Sequence, residues 1–142
     1  MNSNQINKIL RKEKGFLGCF PSDNLPHVKT NKSFSVIINT DRKGKTGDHW
    51  LALICEKNKA FYFDSFGCPI LEFDVQKWVE KFDILYWSTK PIQPLTSKQC
   101  GAYCIEFIRC VRNLESYKRF LSVFKVNNPE LNEQIIKYTL QK

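Results

Sequence analysis

The chain has 142 residues, of which 42% are hydrophobic and 13% aromatic, and it carries a formal net charge of +8. These values exclude a largely disordered chain, because one domain spanning residues 1–142 can bury enough apolar surface to offset its chain entropy. No apolar run approaches the roughly 18 residues of a membrane helix, and the first residues lack a signal-peptide core. We therefore expect one intracellular domain that does not contact a membrane.

The cysteines are expected to be free thiols, because an intracellular setting keeps them reduced. No Cys-x-x-Cys pair occurs, and the two histidines, His27 and His49, do not have the spacing of a zinc finger. The sequence therefore predicts no metal site. The six cysteines stand at positions 19, 55, 68, 100, 104 and 110.

The excess of positive charge has two interpretations. A basic surface favours polyanions, and DNA is bound through its phosphates in a salt-dependent manner that does not depend on base sequence. Solubility alone is the other interpretation, since no RNA-binding or zinc-finger motif accompanies the charge. The basic residues are grouped as Lys8, Arg11, Lys12 and Lys14, then Arg42, Lys43 and Lys45, then Arg109, Arg112, Lys118 and Arg119.

The first predicted element is a short amphipathic helix over residues 4–13, ended by Gly15. Residues 16–32 are rich in Gly, Pro, Asp and Asn, which predicts a loop. Residues 34–38 form an apolar run typical of a buried strand.

Two further apolar runs, residues 50–55 and 60–63, flank a four-residue polar loop and predict an antiparallel hairpin. If the residues flanking this loop pair, Asp64 lies opposite Leu51, and His49 is two positions along on the same face. Diagonal neighbours on a sheet are about 7–8 Å apart, within reach of an imidazole and a carboxylate. The hairpin therefore predicts a contact between His49 and Asp64.

Helices dominate the prediction for the rest of the chain, apart from one strand and a loop with two prolines over residues 90–98. Apolar residues at three- and four-residue steps after Cys100 indicate a buried helix that begins at this cysteine. The helices are predicted at residues 72–82, 100–111, 117–124 and 131–140, and the strand at residues 84–87.

Cys100 is the candidate nucleophile, because the free amides and dipole of a helix start favour a thiolate. His49 would act as its general base and return a proton to the leaving amine, while Asp64 orients the imidazole ring. The oxyanion formed by the attack needs donors. The backbone amide of Cys100 is one, and the side chain of Gln93 or Gln99 is a candidate for the other.

Residues beside these groups are candidates for substrate binding, namely Gly47, Asp48, Trp50 and Gln99. Each also has a structural interpretation. Trp50 suits a core or cleft wall, and Gly47 suits a turn.

Taken together, these segments resemble the adenovirus-type cysteine proteases, which other DNA viruses and Polinton or Maverick elements also encode. The wider clan includes the SUMO-deconjugating proteases. The resemblance implies an α+β, adenain-like fold with permuted papain-like order, in which helices flank a mostly antiparallel sheet. It covers residues 15–112 approximately, with its motifs at residues 16–18, 36–40, 47–52, 62–67 and 93–104.

By this resemblance His49 is the catalytic histidine, Asp64 its acidic partner and Cys100 the nucleophile. Gln93 precedes Cys100 by seven residues, the family's spacing for the oxyanion-hole glutamine, which favours it over Gln99. The adenovirus enzymes more often have Glu where Asp64 stands, and either carboxylate can orient an imidazole.

The resemblance implies a monomeric cysteine endopeptidase that matures virus-like particles in the host nucleus or virion. It would cleave viral or mobile-element capsid and core precursors at small or glycine-containing sites. The chemistry needs no cofactor, although DNA is a possible polyanionic activator. Residues 69–99 contain no cysteine, so activation by a disulfide-linked peptide is not expected.

Two alternatives stay open. One is removal of ubiquitin-like or SUMO-like modifiers, whose tails end in Gly-Gly. The other is a DNA-binding module that retains the fold without activity, and the intact set of four predicted catalytic residues argues against it.

Overall fold

A computed structural model describes residues 1–40 and 49–141. In this part of the chain, helices cover both faces of a five-stranded sheet. The strands are β1 Phe16–Pro21, β2 Phe34–Asn39, β3 Trp50–Glu56, β4 Lys59–Phe63 and β5 Ile84–Trp87. The helices are α1 Ser3–Leu10, α2 Phe73–Val79, α3 Cys100–Cys110, α4 Leu114–Ser122 and α5 Pro129–Leu140.

The strand order in the sheet follows the chain, β1-β2-β3-β4-β5. The pairing of β3 with β4 is antiparallel, as the hairpin predicted, and β3 also pairs antiparallel with β2. The predicted mostly antiparallel sheet is instead mixed, because β1 pairs with β2 in parallel and the crossover through α2 lets β5 run parallel to β4. The central strand β3 is apolar at successive positions because both of its faces are covered. Ala52 and Ile54 face the core shared with α3, α4 and α5, whereas Leu51 and Leu53 face the core shared with α2.

The prediction of a loop over residues 16–32 is wrong for β1. This strand lies at the edge of the sheet, and its pairing shifts register between Phe16 and Cys19, around Gly18 with φ 130°. The amide of Cys19 donates to Asn7 Oδ1 of α1 at 3.1 Å. The turn-like composition therefore belongs to an irregular edge strand whose outer side is met by a helix.

The hairpin between β3 and β4 has the predicted pairing of Cys55 with Ala60. Its loop is shorter than the predicted four residues, because Glu56 also pairs with Lys59. Lys57 and Asn58 form the turn with φ of 50° and 65°. A two-residue turn with positive φ matches the twist of the flanking strands, and Asn tolerates this conformation well.

The helices occur where predicted, with different ends. Helix α4 begins at Leu114, three residues before its predicted start at residue 117, because Asn113 caps it by accepting a hydrogen bond from the Ser116 amide at 2.9 Å. Helix α2 ends at Val79, short of the predicted residue 82. None of the described helices is long and apolar enough to cross a membrane.

Candidate active site

His49 and Asp64 meet at one end of the β3–β4 hairpin. His49 precedes β3 and Asp64 follows β4, so the antiparallel register brings them together. His49 Nε2 lies 2.8 Å from Asp64 Oδ1. The contact predicted from the hairpin is therefore present, and burial of Asp64 shields it from solvent.

Cys100 is the first residue of α3 and lies beside this pair. Helix α3 packs against β3, which carries the first residue after His49. The thiol, the imidazole and the predicted oxyanion residue line one pocket of about 290 Å³. The pocket is lined by Met1, His49, Trp50, Phe66, Gln93, Ser97, Lys98 and Cys100.

The surroundings of Cys100 favour its thiolate. Burial opposes ionisation, but His49 and the backbone amides of Trp50 and Gly101 outweigh it, so the pKa of Cys100 is lowered. Burial likewise opposes a charged imidazole, yet the hydrogen bond to Asp64 and the interaction with Cys100 raise the pKa of His49 to about 9. The two shifts together favour a thiolate–imidazolium pair.

The two ring nitrogens of His49 have different surroundings. Nε2 is bound to Asp64, which leaves Nδ1 for the interaction with Cys100. Nδ1 is buried and has no hydrogen-bond partner of ordinary geometry among the described residues. The arrangement can therefore move a proton between the Cys100 sulfur and Nδ1 while Nε2 stays on its carboxylate.

Gln93 is buried at the pocket and is held by three polar contacts. Its Oε1 accepts a hydrogen bond from Ser65 Oγ. Its Nε2 donates to Ser97 O at 3.0 Å and to Ser97 Oγ at 3.3 Å. Gln99, the alternative from the sequence, is the N-cap residue of α3, makes no side-chain capping bond and is not among the pocket-lining residues.

Helix α5 supports the segment that carries Gln93. Asn132 is fully buried and donates from Nδ2 to Ile92 O at 2.9 Å and to Lys125 O at 2.8 Å. Because Ile92 immediately precedes Gln93, the position of this glutamine depends on a helix nearly 40 residues further along the chain. Nothing in the sequence pattern indicated this role for Asn132.

Phe66 is a site residue that the sequence analysis missed. Its ring stacks on the His49 ring, with centroids 4.7 Å apart and planes 27° apart. Its amide donates to Asp64 Oδ1 at 2.8 Å. The sequence feature that could have identified Phe66 was its position two residues after Asp64 and directly before Gly67.

The remaining predicted substrate-binding residues have mixed outcomes. Trp50 lines the pocket, and its indole N–H donates to Met1 O at 3.1 Å. It is at the same time a core residue, only 7% exposed. Gly47 and Asp48 lie outside the described residues.

Three of the predicted basic residues are in ion pairs. Arg109 lies 3.0 Å from Glu106, Arg112 lies 3.3 Å from Glu13, and Arg119 lies 3.0 Å from Glu115. The basic group at residues 42–45 lies outside the described part of the chain. Binding of DNA stays a prediction.

The other five cysteines have no feature of a nucleophile. Cys104 is fully buried one turn after Cys100, and burial raises its pKa. All six cysteines are described, and each is a free thiol. Within residues 1–40 and 49–141, no group of three His, Cys, Asp or Glu side chains could hold a metal ion.

The fold is shared with a solved protease. The crystal structure of the ASFV pS273R protease superposes with a TM-score of 0.59 over 90% of this chain and 63% of that one, at 20% sequence identity. The predicted α+β fold, with helices flanking the sheet, is therefore confirmed.

The sequence is similar to viral proteases. The chain is 28% identical over 119 residues to the Protease of Snake adenovirus serotype 1, with 72% of this chain and 59% of the relative covered. It is 29% identical over 110 residues to the Protease of Porcine adenovirus A serotype 3, with coverages of 66% and 54%. The predicted resemblance to adenovirus proteases is confirmed.

A third relative comes from a different virus. The Putative thiol protease R355 of Acanthamoeba polyphaga mimivirus is 29% identical over 100 residues, or 62% of this chain and 33% of the relative. No family model matches the chain. The chain thus spans between 33% and 59% of the length of these three relatives.

Proposed function

We propose that this chain is a cysteine endopeptidase with Cys100 as nucleophile, His49 as general acid and base, and Asp64 as orienting carboxylate. The observation that carries the proposal is the position of the His49 ring, bonded to Asp64 on one side and interacting with Cys100 on the other. Relatives named Protease and Putative thiol protease support the same chemistry.

The reaction divides into two steps. The Cys100 thiolate attacks the scissile carbonyl carbon, and His49 Nδ1–H protonates the leaving amine as the C–N bond breaks. This leaves a thioester on Cys100. His49 then takes a proton from water as its oxygen attacks the thioester carbon, and the C–S bond breaks. This releases the carboxylic acid product and the Cys100 thiolate, which again pairs with the protonated His49.

Two donors would stabilise the oxyanion, namely the Cys100 amide and Gln93 Nε2. Both Nε2 contacts now go to Ser97, and the 3.3 Å contact with the hydroxyl is the weaker one. When a substrate binds, Gln93 Nε2 would give up this longer bond and donate to the oxyanion instead. The 3.0 Å bond to Ser97 O would still hold the loop. The bond from Ser65 Oγ keeps the oxygen end of the amide turned away from that role.

The dimensions of the pocket support small residues around the scissile bond. A volume of about 290 Å³ is at the low end of the roughly 300–1,000 Å³ of small-molecule sites. The aromatic side chains of Trp50 and Phe66 are part of its wall. Together with the similarity to viral proteases, these dimensions make glycine-containing capsid or core precursors the proposed substrate class.

Cleavage assays with defined peptides test the function. Peptides with glycine next to the scissile bond should be cleaved faster than matched peptides with leucine or lysine there. Adduct formation on Cys100 with aldehyde-ended ubiquitin or SUMO would instead favour the deconjugase. Each peptide is assayed at low salt with and without duplex DNA, and alkylation of Cys100 shows that the thiol is intact. If Cys100 is alkylated but no peptide is cleaved under either condition, the endopeptidase proposal is rejected.

Replacement of the proposed oxyanion residue gives a specific prediction. Gln93→Ala should lower kcat by about 10²- to 10³-fold, the usual cost of one lost oxyanion donor, with a smaller change in KM. Gln99→Ala is the matched control and should stay within about twofold, because Gln99 does not line the pocket. Steady-state kinetics on one peptide measures both, and an equal loss in the two variants would contradict the assignment.

A further inference from the structure

Residues 64–67 form a turn whose shape is set by Gly67. The Gly67 amide donates to Asp64 O at 2.9 Å, and its φ is +73°. A Cβ at this position would lie 2.7 Å from Thr89 O and 2.8 Å from Pro91 N, both backbone atoms. Only glycine fits here without displacing the turn, so the path of the preceding residue is tightly constrained.

This turn places both the backbone amide and the ring of Phe66 in contact with the pair formed by His49 and Asp64. The Phe66 amide donates at 2.8 Å to Asp64 Oδ1, the same oxygen that lies 2.8 Å from His49 Nε2. The Phe66 ring stacks on the His49 ring at 4.7 Å. One residue therefore contacts both the carboxylate and the imidazole that it orients.

The stacked ring has two physical effects on His49. The face of an aromatic ring attracts a cation, so it stabilises imidazolium more than neutral imidazole. The ring also covers one face of the imidazole, which limits its rotation and the approach of water. The titratable groups that face His49 are Asp64 and Cys100, and Lys98 is the other charged side chain among the described pocket-lining residues.

We propose that Phe66 is a positioning residue, whose ring holds the charged His49 side chain in line between Asp64 and Cys100. The inference rests on the proposed function, since it assigns a role within the same site. It adds a fourth requirement to the nucleophile, the imidazole and the carboxylate, namely an aromatic ring stacked on one face of the imidazole.

Two substitutions separate the aromatic face from simple volume. Phe66→Leu keeps an apolar side chain but removes the ring, whereas Phe66→Tyr keeps the ring. Phe73→Leu is the matched control, because Phe73 lies on α2, is 67% exposed and is not among the pocket-lining residues. Thermal unfolding of all three variants checks that each is folded.

The first measurement is the rate of Cys100 alkylation by chloroacetamide against pH, followed by mass spectrometry of the Cys100 peptide. The upper step of this profile reports loss of the proton from the His49 imidazolium. The alkylation assay needs no peptide substrate. In Phe66→Leu we expect this step to move to lower pH by roughly half a pH unit, the equivalent of a lost exposed cation–π contact. Phe66→Tyr and Phe73→Leu should keep the parent profile.

The second measurement is peptide cleavage, in which Phe66→Leu should lower kcat about tenfold with little change in KM, as expected for a misplaced acid–base group. Phe66→Tyr should restore most of the rate. A raised KM at unchanged kcat would make Phe66 a substrate-binding wall and overturn the proposal, as would a Tyr variant as impaired as Leu.

The alkylation profile also separates failure of the proposed thiolate–imidazolium pair from failure of the proposed role of Phe66. A parent profile with the single step of an ordinary thiol would reject the ion pair of the proposed function. A two-step parent profile that is unchanged in Phe66→Leu would reject the role of Phe66 alone.

Discussion

Cys100→Ala is expected to abolish both peptide cleavage and labelling by a thiol-directed warhead. The thiolate is the proposed nucleophile, and its loss should lower kcat at least about 10³-fold. The substitution removes one buried atom from a helix start, so the fold should survive with a change in the free energy of unfolding of about 1 kcal/mol. Peptide cleavage, warhead labelling and thermal unfolding on the same preparation measure these outcomes.

Cys110→Ala is the matched control at the other end of the same helix. Cys110 is exposed and belongs to neither the pocket nor the catalytic contacts. It should retain the parent rate and remain labelled at Cys100. Persistent cleavage in Cys100→Ala, or an equal loss in Cys110→Ala, would contradict the assignment of the nucleophile.

Asp64→Asn is expected to lower kcat by roughly 10²- to 10⁴-fold and to narrow the pH range of activity. The folded His49 has its pKa raised to about 9, and Asp64 is the main contributor that raises it. Activity needs the imidazolium, so it is lost as pH rises through this value. Removal of the carboxylate therefore moves the alkaline limb to lower pH.

The acidic limb should move in the opposite direction. The pKa of Cys100 is lowered mainly through its hydrogen bond with His49, so a less readily charged imidazole lets it rise towards its usual value. The profile of kcat/KM against pH should narrow from both sides. Asp74→Asn, at an exposed position in α2, is the matched control and should keep the parent profile. A profile of unchanged width in Asp64→Asn would contradict the thiolate–imidazolium pair.

The sequence was sufficient for features that depend on neighbours along the chain. Two apolar runs around a short polar turn determine the hairpin, and the two-residue side-chain period of its strands determines which residues share a face. The contact between His49 and Asp64 follows from that register alone. The position of Cys100 at a helix start follows from local periodicity in the same way.

Features that depend on distant segments were not accessible to the same reasoning. Strand β1 has turn-like composition, and it forms because β2 and α1 supply partners for its backbone groups. Gln93 and Gln99 precede the same helix, and in the sequence only the family's seven-residue spacing to the nucleophile favours Gln93. Bonds from Ser65 and Asn132 to residues 92–93 hold Gln93 at the pocket, whereas Gln99 occupies the N-cap position of α3 without a side-chain capping bond.

The sequence by itself therefore determined the candidate reactive groups, which are residue types placed at the ends of predicted elements. It also determined the pairing of the imidazole with its carboxylate, because the hairpin register sets that contact. Only the tertiary structure decided what surrounds them. The stacking of Phe66 on His49 requires a turn whose glycine fits against residues 89–91, more than 20 positions away. Such contacts arise from packing between segments, which no local pattern in the chain encodes.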